Sequence, residues 1–201
     1  MRKPPYHHGN LRAVLLQTAM RLIREVGPAG FTLREVARRA NVSHNAPYRH
    51  FRNKDQLLAA VATEGFRELT AAMRTAAESQ PSAWERLRRS GLAYISFAVR
   101  RPEHFTVMFD TPLNPRDDPV CAKAGEEAFG TLLSFIAYCQ RQRELPPGDP
   151  LPLALVAWSL VHGIGKLANA NRFPFHSKTE LMKFSEKALD GALGGMRRKP
   201  G

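Results

Sequence analysis

Four segments of this chain carry the same four-residue spacing, and that spacing commits most of its length to helix. Thr32 precedes Glu35, Asn53 precedes Gln56, Ser82 precedes Glu85 and Ser177 precedes Glu180. In each pair the first side chain can accept a hydrogen bond from the backbone N–H three residues on, and the second can reach back to the start. Two of the donors that a helix N-terminus leaves over are satisfied in this way. At the first start, Phe31 and Val36 are placed to form a hydrophobic staple. Upstream, Leu11, Leu15, Thr18, Ala19, Leu22 and Val26 make one stripe at helical spacing. It stops at Gly27-Pro28, because glycine suits a left-handed cap and proline cannot continue a helix. The periodicity predicts helices over 10–26, 33–40, 44–51, 54–78, 83–100, 102–110, 120–143, 151–171 and 178–194. Pro- and Gly-bearing connections fall at 111–119 and 145–150. Strand alternation, internal repeats and low-complexity tracts are not seen, so the fold class is all-α.

Charge divides the chain unevenly. The net charge is +12, yet residues 1–54 hold 11 Lys and Arg against 2 Asp and Glu, while 55–201 hold 19 against 16. A basic end joined to a nearly balanced remainder is the pattern of a polyanion-binding end, although a solvated basic surface gives the same counts. No apolar run is expected to approach the roughly 20 residues that cross a bilayer. The first ten residues lack the apolar stretch of a secretory signal. The expected location is the cytoplasm, with no membrane partner.

The groups that could carry covalent or metal chemistry do not assemble into a motif. Cys121 and Cys139 are 18 positions apart. On one helix that is roughly 27 Å, against the roughly 7 Å between Cα atoms that a disulfide allows. His7, His8, His50, His104, His162 and His176 invite a metal site, but no pair has the i, i+4 spacing of a helical zinc site and neither cysteine sits in C-x-x-C. A nucleophile–base spacing and a glycine-rich phosphate loop are also missing. No metal, no cofactor, no catalytic residue and no enzymatic activity are expected.

Residues 32–51, TLREVARRANVSHNAPYRHF, carry the functional reading. Leu33, Val36, Ala37 and Ala40 form the inner face of a short helix, while Arg34, Arg38 and Arg39 point elsewhere. Ala37 is small enough to let a second helix cross closely. Asn41 falls where the turn needs a left-handed residue, which asparagine tolerates better than most. Val42 plugs the turn and Ser43 can cap the second helix. This is the layout of a helix-turn-helix whose second helix enters the major groove of DNA. Pro47 lies inside that second helix and cannot donate a backbone hydrogen bond, so the regular helix is expected to begin at Asn45 or Ala46.

The stretch from Leu11 to about Leu69 resembles the DNA-binding module of the TetR family, most specifically in NVSHNAPYRHFRNKDQLL. The resemblance implies that Tyr48 and Lys54 touch phosphates, that Phe51 is core, and that Ser43, His44 and Asn45 face the groove. His44 and Asn45 can equally cap the helix. With Thr32, Arg34, Pro47 and His50 these residues make the expected DNA-contact set. Asn41 departs from the commoner glycine. Less specifically, AWSLVHGIG (157–165) and RPEHFTVMF (101–109) are similar to a group of TetR C-terminal domains with a Trp, His-Gly pattern. Such domains form the dimer and bind small effectors.

The expected protein is therefore a helix-turn-helix DNA-binding domain, 1–54, with three helices, joined to a helical effector-binding and dimerisation domain, 55–201. Its expected partners are a near-palindromic double-stranded operator, a second copy of itself, and a small apolar effector of unknown identity. Trp158 and His162 share one face of their helix. Leu153, Val156, Leu160, Ile164 and Leu167 share another. A helix apolar on two faces must be covered on both, and the second face is the expected dimer contact, with help from 178–194. Effector contacts are expected from Phe66 and Met73, from Tyr94 and Phe97, from Phe105, Met108 and Phe109, from Phe129 and Leu133, and from Trp158 and His162, converging in the C-terminal bundle. The alternative is a constitutive regulator or architectural DNA-binding protein that has no effector.

Overall fold

A computed structural model describes residues 11–114 and 117–197. The helix start expected at residue 10, and His7 and His8, lie outside the described residues. The chain is all-α. Among the described residues are eight α-helices: α1 (Leu11–Val26), α2 (Leu33–Arg39), α3 (Lys54–Glu78), α4 (Ala83–Arg100), α5 (Pro102–Asp110), α6 (Pro119–Arg141), α7 (Pro150–Asn169) and α8 (Lys178–Gly194). A 3-10 turn, Pro47–Arg49, stands between α2 and α3.

All four start signatures form their first hydrogen bond. Glu35 N donates to Thr32 Oγ1 at 3.2 Å, Gln56 N to Asn53 Oδ1 at 2.9 Å, Glu85 N to Ser82 Oγ at 3.1 Å and Glu180 N to Ser177 Oγ at 3.2 Å. The return bonds differ from the expected box. Gln56 and Glu180 accept from Arg52 N and His176 N, one residue further upstream. The carboxylates of Glu35 and Glu85 engage arginines one turn along instead: Arg38 and Arg39, and Arg88 and Arg89.

Three helices end alike. Asn41, Arg143 and Asn171 have φ of 55°, 60° and 52°. Each donates to the carbonyl three residues back, and the next N–H reaches the carbonyl five back, as in Val42 N to Ala37 O at 3.0 Å and Arg172 N to Leu167 O at 2.9 Å. These are Schellman ends. After α1 the left-handed position is taken by Gly27, φ 76°. Gly30 sits where a Cβ would stand 2.3 Å from the Val26 carbonyl oxygen, so no larger residue fits that bend.

The described chain divides into two compact units. The first takes in residues up to Gly65 together with Glu103–Ala122; the second takes in Phe66–Pro102 and the residues from Lys123 onward. Helices α3 and α6 each contribute to both. In the first unit α1 packs on α2 and α2 on the 3-10 turn, with Leu15, Leu22, Val36, Ala37, Phe51 and Leu57 buried. Gly65 lets α5 lie close, since a Cβ there would meet Met108 Sδ at 2.5 Å. In the second unit α4 packs on α7 and α8. One core cluster there joins Ala83, Leu87, Ile136, Cys139, Leu145 and Ala154. Cys121 and Cys139 are both free and buried, and burial pushes the Cys139 thiol up to about 12.

One expectation about apolar length needs correcting. Helix α7 has 20 residues and is long and apolar enough, by length and composition, to cross a membrane. Lys166 is its one charged residue. Single polar residues, Ser159, His162 and Lys166, interrupt the apolar run without lowering its average.

Candidate nucleic-acid interface

The surface that could meet DNA is built by a short turn held from both sides. Ala37 is fully buried, so the chain crosses it closely, and the Schellman end at Asn41 reverses direction. The expected helix over 44–51 does not form. Residues 44–46 are turn, Ala46 N donates to Ser43 O at 2.9 Å, and only Pro47–Arg49 wind, as 3-10. Proline supplies the reason. Pro47 has no N–H with which to reach back to Ser43, so the 43–46 turn is not extended by an α-type bond at that position. Downstream, His50 N and Phe51 N both donate to Pro47 O at 2.9 Å. Phe51 is 2% exposed, and the Arg12 guanidinium lies 5.5 Å from its ring centroid.

This winding sorts the expected contact residues. Ser43, His44, Asn45, Tyr48 and His50 are exposed, with Tyr48 at 48%. Pro47 is buried and shapes the turn instead of presenting a surface. Thr32 is exposed, but its hydroxyl caps α2; Arg34 is exposed on α2. Lys54 is half-buried: its ammonium donates to Ala29 O at 3.1 Å and sits 5.5 Å from the Phe31 ring centroid. It therefore pins the start of α3 to the loop after α1. An ammonium has three N–H bonds, and this contact uses one. Arg49 and Arg52 flank the turn and are exposed. Sequence reasoning passed over both, although Arg49 lies between two residues it singled out.

Not every cation in the basic segment faces outward on equal terms. Arg38 grips Glu35 through two bonds of 2.8 and 2.7 Å, and Arg39 bridges Glu35 and Glu25 at 3.1 and 2.9 Å. The Arg38 hydrogen bonds hold the Glu35 carboxyl down at about 2. Arg24 pairs with Glu103 on α5 within the first unit. Burial alone would push Glu103 up, but the Arg24 hydrogen bond, a backbone hydrogen bond and the Arg24 charge together outweigh it and leave the carboxyl below its usual range.

In the second unit four of the expected effector residues come together. Tyr94 Oη lies 2.9 Å from His162 Nδ1 and accepts from Trp158 Nε1 at 3.3 Å. The Trp158 ring centroid stands 5.7 Å from those of Phe129 and His162. Burial pushes the Tyr94 phenol above its ordinary range, so it keeps its proton and can donate to His162. Met73 and Phe97 are buried, while Leu133 and Phe66 are half-buried, Phe66 lying over Gly125. Phe105, Met108 and Phe109 lie on α5, in the first unit.

The face of α7 expected at the dimer contact is also rephased. Val156 and Leu167 are exposed, Leu153 and Leu160 are half-buried, and Leu153 packs against the core cluster. Ile164 is buried inside its own unit. Leu151 and Leu155, not singled out from sequence, are exposed beside Val156. Among the described residues no group of three or more His, Cys, Asp or Glu could hold a metal ion.

Two family models match separate stretches of the chain. Residues 15–61 match the family model for bacterial regulatory proteins of the tetR family, and residues 87–191 match that for the Tetracyclin repressor-like C-terminal domain. Neither description distinguishes the Trp, His-Gly subgroup. Over 60 residues the chain is 43% identical to the HTH-type transcriptional repressor Rv3405c of Mycobacterium tuberculosis. That stretch is 30% of this chain and 32% of the relative, so the match spans about a third of the relative's length. A solved structure of a protein with unknown function from Rhodococcus sp. RHA1 is 34% identical, with a TM-score of 0.83, covering 98% of this chain and 100% of that one. The structure of AibR in complex with isovaleryl coenzyme A and operator DNA shares the fold at 20% identity, TM-score 0.69, covering 87% and 95%.

Proposed function

The chain belongs to the TetR family of DNA-binding transcriptional regulators, and from that premise we propose that it is a ligand-responsive repressor. On this reading a dimer occupies a near-palindromic operator in the cytoplasm until a small apolar molecule releases it. The observation that carries the DNA half is the turn after α2, where a proline-wound 3-10 segment presents Ser43, His44, Asn45 and Tyr48 outward from a buried Phe51. The functional division at residue 54 places DNA contact before it and dimerisation and effector binding after it.

Position assigns the roles. Ser43, His44 and Asn45 precede the winding and meet base edges. Tyr48, Lys54 and His50 meet the backbone, with Arg49 and Arg52 beside them, and Thr32 and Arg34 address phosphates from the start of α2. Two half-sites need two equivalent modules, and the exposed apolar face of α7 supplies the two-fold contact. The effector half rests on Tyr94, Trp158, His162 and Phe129, an aromatic group with a few convergent polar atoms of the kind that orients an apolar ligand. AibR, which shares the fold, was solved with an acyl thioester and operator DNA together. Helix α3 carries residues of both units without a break. A ligand that tilts its Phe66–Glu78 half moves its Lys54 end, and couplings of about 1–3 kcal/mol are typical of such linkage. The constitutive alternative draws on the same side chains, since Tyr94, Trp158 and His162 satisfy one another without a ligand.

Variants separate the roles. Tyr48→Phe and Lys54→Ala should weaken all DNA sequences alike. Lys54→Ala should cost more, because it also frees the Ala29 carbonyl. His44→Ala or Asn45→Ala should relax the sequence preference, by about 1–3 kcal/mol where a base contact is lost. A Lys54→Ala protein with altered base preference would overturn the assignment. Repression itself is tested by transcription in vitro from a promoter that overlaps the selected site: added protein should lower the transcript, and a rise would make it an activator.

A further inference from the structure

Lys178, the first residue of α8, lines two clefts of the second unit. One has a volume of about 510 Å³ and is lined by Glu68, Ala71 and Ala72 of α3, by Phe97 and Arg100 of α4, by Arg101 at the end of α4, and by Lys178. The other, of about 200 Å³, has Val99, Phe173, Phe175 and Leu181 among its walls and takes in Lys178 again. The larger volume falls within the roughly 300–1,000 Å³ of small-molecule sites.

The two clefts differ in chemistry. The larger gathers three cations from two helices and the connection after α4, against a single carboxylate. Arg101 Nε donates to Glu68 Oε2 at 2.9 Å, with both side chains about half exposed. A pair so exposed contributes little to stability, and a stronger anion can displace the carboxylate. The smaller cleft has Phe173 and Phe175 in its wall, with Asn171, His176 and Ser177 as polar members, and Phe184 packs behind the two rings. Phe173, Phe175 and Phe184 hold their ring centroids 5.2 Å apart, pair by pair. Phe173 and Phe175 remain half-buried, a preformed apolar wall next to the cationic one. Three cations exceed what one carboxylate can neutralise, which favours a head with two negative charges.

We propose that these two clefts bind an amphipathic small-molecule anion, its phosphate-class head at Arg100, Arg101 and Lys178 and its apolar or aromatic body along Phe173 and Phe175. The site shares only Phe97 with the expected effector group around Tyr94 and His162, and it requires neither DNA binding nor release by an effector. Glu68 is its competitor: it occupies Arg101 until the anion arrives.

The test is calorimetry on the full chain at fixed ionic strength with three probes. They are 1-naphthyl phosphate, inorganic phosphate for the head alone, and 1-naphthol for the body alone. Naphthyl phosphate should bind about tenfold or more tightly than either fragment, because each fragment forfeits one of the two contacts. Arg100→Ala with Lys178→Ala should weaken naphthyl phosphate about tenfold by removing charge-assisted bonds, and leave naphthol unchanged. Phe175→Ala should weaken naphthyl phosphate and leave inorganic phosphate unchanged. Glu68→Gln removes an exposed charge and should strengthen naphthyl phosphate severalfold; it keeps the test open if the double variant fails to fold. Equal affinities for naphthyl phosphate and inorganic phosphate, or an affinity unmoved by both the double variant and Glu68→Gln, would overturn the proposal.

Discussion

Phe51→Ala should abolish operator binding by unfolding the module that presents the turn. Phe51 is among the largest fully buried side chains of the chain. Its ring carries the Arg12 guanidinium on one side, and its N–H closes the turn on Pro47 O at 2.9 Å. Truncating a buried phenylalanine to alanine costs about 3–5 kcal/mol, against a whole-domain stability of about 5–15 kcal/mol. Operator affinity and thermal unfolding should both be read. Affinity should vanish and an early unfolding transition should appear, while the second unit keeps its helical signal. Wild-type affinity in the variant would show that the turn is not held from beneath by this ring.

Leu155→Arg with Val156→Arg should yield a folded monomer that binds DNA poorly. Leu151, Leu155, Val156 and Leu167 are 42%, 43%, 50% and 45% exposed, and all four lie on α7. A Cβ built at Gly163 on the same helix would meet nothing within 4 Å, so a second backbone can approach there. An apolar face of this kind is unusual on a monomer and marks an interaction surface. Two new charges in a two-fold contact are each repeated by the symmetry. Losing simultaneous engagement of two half-sites should cost roughly 10²–10⁴-fold in operator affinity. Sedimentation should show the change from dimer to monomer with the far-ultraviolet circular dichroism unaltered. A double variant that sediments as a dimer would move the interface elsewhere. Ile164→Arg is not an equivalent test, because Ile164 is buried within its own unit and the charge would disrupt that core first.

What could be read from the sequence was local. The helix starts at Thr32, Asn53, Ser82 and Ser177 depend on side chains within four residues of the backbone they cap, and all four form. The left-handed Asn41 was equally local. Pro47 exposed the limit of this reasoning. The sequence pattern predicts an α-helix over 44–51, whereas residues 44–46 form turn and only Pro47–Arg49 wind, as 3-10. The face of α7 was misjudged for a different reason. A helix apolar all round has no phase of its own, so only its packing against α4 decides that Ile164 turns inward and Leu155 outward. Pairings far apart in sequence were the least legible. Arg24 and Glu103 are 79 residues apart and join α5 to the DNA-binding unit. No periodicity within either helix signals that contact. Tyr94 and His162 were singled out as the polar members of an apolar set, but that they bond each other across 68 residues is a fact of the bundle.

On the proposed function, the basic, turn-bearing end of this chain holds DNA chiefly through its phosphates and reads it through a few exposed side chains. The affinity of the full chain for fragments selected from its own genome, titrated with salt, decides between this reading and its absence. Each phosphate neutralised should contribute a slope of about −0.9 in log K against log salt. A dimer with several such contacts should therefore lose orders of magnitude in affinity between roughly 50 and 200 mM salt. Tyr48→Phe should lower the affinity at every salt concentration. An affinity indifferent to salt, or no fragment bound at any concentration, would contradict the account.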